Sequence, residues 1–109
     1  MHARKAHEQL NRLIDAAPAD LATFTQAAVL IERLLKLNRR PEEGRPNETV
    51  KSKLQSARGW FEILCGVGED GAWREDDLRH YIRCDLATAA DNFTEDGSCY
   101  KSWPPLDEN

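Results

Sequence analysis

DLATFTQAAVLIERLLKLN, residues 20–38, decides how this chain is read. On a 3.6-residue period Leu21, Phe24, Ala28, Ile31 and Leu35 form one stripe, and Ala27, Leu30, Leu34 and Leu37 form a second beside it. Together they cover nearly half of a helix. A strip that wide suits a helix packed against two neighbours, whereas a narrow seam would suit a two-stranded coiled coil. The opposite face holds Thr25, Gln26, Glu32, Arg33 and Lys36, with Val29 as the one apolar residue among them. The segment therefore reads as the central helix, over 19–38, of a small helical bundle.

Working outward, residues 3–16 predict a first helix with Ala6, Leu10, Leu13, Ile14 and Ala17 inward and Arg4, Lys5, Glu8 and Arg12 outward. Pro18 ends it and, with Asp20, opens the central helix. After that helix, residues 39–46 contain two prolines, a glycine and no apolar residue, which is the composition of a surface loop. Asn47 is placed as the N-cap of a third helix over 47–65, whose Val50, Leu54, Ala57, Phe61 and Leu64 face inward while Trp60 widens the stripe. Gly66, Gly68 and Gly71 form a turn, and a fourth helix over 72–93 begins with Glu75, Asp76 and Asp77 and buries Leu78, Ile82, Leu86, Ala89, Ala90 and Phe93. The expected architecture is all-α: one four-helix domain over 1–93 and an extended or flexible tail over 94–109. In that tail Tyr100, Trp103 and Leu106 recur every third residue, which in a polyproline-like strand sets them on one side.

A chain of 109 residues makes one modest core rather than a core and a deep pocket. Its net charge of −4 is unevenly spread: residues 1–58 carry 11 Lys/Arg against 7 Asp/Glu, and residues 59–109 carry 4 against 12. Such a dipole favours steering toward a protein of complementary charge over a uniform nucleic-acid surface. The charged start and the lack of a long apolar run predict no signal peptide, no membrane span and a cytoplasmic protein. Three cysteines, Cys65, Cys84 and Cys99, with no Cys-x-x-Cys pair predict reduced thiols.

Several motifs invite chemistry. Gly66-x-Gly68-x-x-Gly71 matches the dinucleotide-binding pattern, but it follows a helix rather than a strand and contains Glu69 and Asp70, which repel phosphate; a turn is the better reading. His80 and Cys84 share a helix face and could join Cys65 or Cys99 as zinc ligands, but a fourth ligand is not evident, so no metal and no cofactor are expected. Arg74 and His80 are spaced similarly to the Arg and His of the helical HEPN ribonucleases, which implies general acid catalysis on RNA; Glu75, Asp76 and Asp77 between them oppose RNA approach. The basic residues from Arg33 to Arg58 are interleaved with Glu32, Glu42, Glu43 and Glu48, the pattern of a solvated face. The acidic stretch Glu69–Asp77 fits an immunity or phage-type inhibitor of a nuclease, or equally a helix N-terminus complemented by its own carboxylates. No Ser-His-Asp set or P-loop is present, so the chain is expected not to be an enzyme.

What remains is apolar surface in excess of a small interior: the two stripes of the central helix, Val29 outside them, three tryptophans and an aromatic tail. This predicts a helical homodimer that binds another protein. The opening MHARKAHEQLNRLIDAAPADLATFTQAAVLIERLLKLNRR resembles the small bacterial quorum-sensing anti-activators of the QslA type. That resemblance implies an inhibitor that binds the ligand-binding domain of a LuxR-type transcription activator and blocks its dimerisation, and with it DNA binding. The residues expected to meet the partner are Val29, Arg33, Lys36 and Leu37 of the central helix, with Tyr100 and Trp103 of the tail. Direct nucleic-acid contact and membrane contact are not expected.

Overall fold

The computed structural model describes residues 3–38, 47–68, 71–95 and 98–99. Four helices carry the domain: α1 (Ala3–Ile14), α2 (Leu21–Leu37), α3 (Glu48–Leu64) and α4 (Glu75–Asn92). A two-residue antiparallel ladder follows, in which β1 (Thr94–Glu95) pairs with β2 (Ser98–Cys99). The expected loop over 39–46 and the tail from Tyr100 onward lie outside the described residues.

The helices pack in a ring, with contacts between α1 and α2, α2 and α3, α3 and α4, and α1 and α4; the α3–α4 interface is the most extensive. Inward stripes explain this. Leu10 and Ile14, then Ala27, Ile31 and Leu34, then Val50, Leu54 and Phe61, then Ile82, Leu86 and Ala89 are all buried in one core, and Phe93 closes it.

The helix ends are where spacing alone misplaced the boundaries. Asp20 is the N-cap of α2, its Oδ1 accepting the Thr23 amide, and Asn47 caps α3 by accepting the amides of Thr49 and Val50. α1 stops at Ile14 rather than residue 16, because Asp15 and Ala16 turn back onto the carbonyls of Arg12 and Leu13. α3 ends in a Schellman motif: Gly66 has φ +73°, its amide donates to Ile63, and the Val67 amide donates to Glu62. The turn reading of the glycine run is the observed one over residues 66–68, and Glu69 and Asp70 lie outside the described residues. α4 begins at Glu75 rather than 72, since Trp73 folds back onto Gly71 and Arg74 takes the N-cap position.

Two inward assignments are corrected. Leu21, placed on the inner stripe by its spacing, is 63% exposed, because it opens α2 directly after the cap, and Ala17 is exposed in the turn before it. Conversely His7, on a segment read for its aliphatic residues, is fully buried.

Candidate functional site

The outer face of α2 and the groove beside it form the surface that best fits protein recognition. Val29 is 49% exposed there, and Leu21, two turns earlier, adds a second exposed apolar side chain to the same helix. Between α2 and α3 runs an open groove whose apolar lining is Phe24, Ala28, Val29, Ile31 and Leu35, with Glu32 and Arg58 at its polar edge. The Arg58 guanidinium sits 5.3 Å from the Phe24 ring centroid and pairs with Glu62 at 3.8 Å. That stacking keeps an otherwise mobile cation at the lip of the groove.

The sequence-predicted residues separate here. Val29, Arg33 and Lys36 are exposed on α2, whereas Leu37 is half-buried and packs against the core, so its side chain is largely spent on folding. Tyr100 and Trp103 lie outside the described residues. Leu21 and Phe24 were absent from that set. The spacing of Leu21 places it on the inner stripe, so nothing local to α2 announces its exposure.

At the α3–α4 seam the residues read for chemistry behave differently. His80 Nε2 lies 3.5 Å from Cys84 Sγ, both residues exposed and one turn apart, while the third candidate ligand, Cys65, is buried at the end of α3. Burial, reinforced by Asp20 and opposed by Arg79, pushes the Cys65 thiol up. Among the described residues no group of three His, Cys, Asp or Glu side chains converges as metal ligands would. Arg74 is the N-cap residue of α4, and His80 turns its ring toward Tyr81, 6.2 Å away.

The remaining perturbed group is structural. His7 meets Phe93 edge to face at 5.4 Å, and burial lowers it from 6.5 to about 4, partly offset by a backbone hydrogen bond with Ala3. It is therefore neutral at physiological pH. Among the described residues no helix is long and apolar enough to cross a membrane. No protein-family model, no curated protein and no solved structure matches this chain.

Proposed function

We propose that this chain is a non-catalytic, inhibitory protein-binding module: an anti-activator that binds the ligand-binding domain of a LuxR-type quorum-sensing transcription activator and blocks its dimerisation and hence its DNA binding. The observation that carries the reading is exposed Val29 of α2, lining an open apolar groove on a helix whose outer face also carries the exposed cations Arg33 and Lys36. The resemblance of residues 1–40 to the QslA type supplies the class of receptor. In this reading the inhibitor is cytoplasmic and homodimeric, and it needs no cofactor.

The mechanism is competition. A helix face with apolar anchors and a charged edge can occupy the surface a receptor uses for its own dimer, and each inhibitor bound removes one receptor protomer from the dimer equilibrium by mass action. Nothing has to be chemically altered. Small apolar anchors such as Val29 sit where a partner excludes water, so a charge introduced there is desolvated without a counter-ion.

Size-exclusion chromatography with light scattering tests this on the protein alone and mixed with a LuxR-type ligand-binding domain. The expected result is a mixed complex formed at the expense of the receptor dimer. Val29→Asp should weaken that complex by at least about tenfold while leaving the helical circular dichroism unchanged. Separate elution of the two proteins would remove the receptor from the proposal, and an unaffected Val29→Asp complex would remove the α2 face.

A further inference from the structure

The exposed face of α4 carries a pair of donor atoms for which the anti-activator reading has no use. His80 and Cys84 are four residues apart, so the helical period sets one above the other. Both are exposed, and His80 Nε2 stands 3.5 Å from Cys84 Sγ. With Nε2 unprotonated, the thiol hydrogen lies between the two atoms, so the nitrogen lone pair and the sulfur converge on one region. A metal ion that takes the place of that hydrogen needs the same two atoms. In a tetrahedral zinc site Zn–S is about 2.3 Å and Zn–N about 2.0 Å, which sets sulfur and nitrogen about 3.5 Å from each other. The helix therefore holds the pair at ligand spacing before an ion arrives, and little side-chain freedom has to be lost on binding.

The surrounding charge favours a cation. Asp76 and Asp77 are exposed in the turn before His80 and belong to none of the described ion pairs. The arginines of α4 are engaged elsewhere, Arg79 with Glu75 and the carbonyls of Ile14 and Ala16, and Arg83 with Asp15. The field over this face is thus set more by carboxylates than by free cations. No third His, Cys, Asp or Glu among the described residues joins the pair as a ligand. Such a site has two protein ligands and open positions, unlike the closed four-ligand zinc sites that hold a fold together.

We propose that His80 and Cys84 bind a soft divalent cation of the zinc type, through Nε2 and the thiolate, with water completing the tetrahedron. On binding, the S–H bond breaks, the metal–sulfur bond forms and the proton leaves to solvent; no electron is transferred. Magnesium and calcium are excluded, since they take oxygen ligands. Both ligands lie on α4, so the site stands independently of the receptor reading and of the α2 face.

Cobalt(II) is the probe, added under nitrogen to the pre-reduced full chain, because cobalt bound to a thiolate absorbs in the near ultraviolet through sulfur-to-metal charge transfer. A saturable band at one ion per chain is expected, reversed by zinc and unaffected by excess magnesium. Cys84→Ser should abolish the band. His80→Ala should weaken binding by at least about tenfold, since loss of even an outer-shell partner of a metal ligand costs that much. Cys99→Ser and Val29→Asp should titrate as wild type does; the first assigns the band to one thiol, and the second separates this site from the α2 face. Both ligands are exposed, so neither ligand variant should change the helical circular dichroism. No band by about millimolar cobalt, a band that survives Cys84→Ser, or undiminished affinity in His80→Ala would overturn the proposal.

Discussion

The two ends of the bundle are closed by different chemistry. Where α1 ends and α4 begins, the closure is ionic: Arg79 donates to the carbonyls of Ile14 and Ala16 while pairing with Glu75, and Arg83 reaches Asp15. At the opposite end the closure is neutral. Asn38 Nδ2 donates to the Asn47 carbonyl, Asn47 Nδ2 donates to the Asn92 carbonyl, and Asn47 Oδ1 caps α3, so three helix ends are tied by two amides. His7 lies in the core at that same end, uncharged against Phe93. Both ends satisfy backbone groups that helices leave unpaired. One uses strong charge-assisted bonds, and in the other the described side-chain bonds between helix ends come from neutral amides.

The largest effect should come from breaking the ionic end. Arg79→Met keeps much of the side-chain volume but leaves the two carbonyls without their charged donor; a loss of about 4 kcal/mol is expected in urea unfolding. An equally stable variant would mean that water replaces the guanidinium and that the clamp is incidental.

Acid should attack the other end. His7 is held at about 4 against an ordinary 6.5, so the folded chain binds its proton less readily than the unfolded chain does. The stability this group supports is complete above pH 6.5 and is lost as pH falls toward 4, with no further loss from it below that. The full difference is on the order of 3 kcal/mol. His7→Leu should flatten the stability profile between those values, measured by chemical denaturation at a series of pH values; an unchanged slope would assign the acid sensitivity to carboxylates instead.

The smallest effect divides the amide relay. Asn47→Ala removes both the cap and the link to Asn92, at a cost of about 2 kcal/mol. Asn47→Asp retains the cap and loses only the link, so it should recover about half of that. Equal losses from the two variants would show that the contact between helix ends matters more than the cap.

How much of this was legible depended on distance along the chain. Four helices, the Asn47 cap, the glycine turn after α3 and the outward position of Val29 follow from relations within about four residues, the range over which helix periodicity and capping act. The exposure of Leu21 broke the same periodicity: it opens α2 directly after the Asp20 cap, while Thr23 and Phe24 of the same turn are buried. The partners of Arg79 and the burial of His7 had no local signal. Arg79 and Ile14 are 65 residues apart, and an arginine on a helix surface carries no mark of the carbonyl it will cap.

The candidate surfaces divide in the same way. From the sequence by itself come the helical class, the excess of apolar surface and the charge asymmetry, since composition and period are properties of the chain alone. Tertiary structure decided what the stripes could not: it left Leu21 on the surface against its spacing, spent Leu37 on the core although it was also expected to meet a partner, and opened a groove against Arg58. It also gathered Trp60, Trp73 and Tyr81 into one cluster by pairing α3 with α4. The physical reason is that exposure is set by which helix lies next to which, and no residue's own neighbours in sequence specify that.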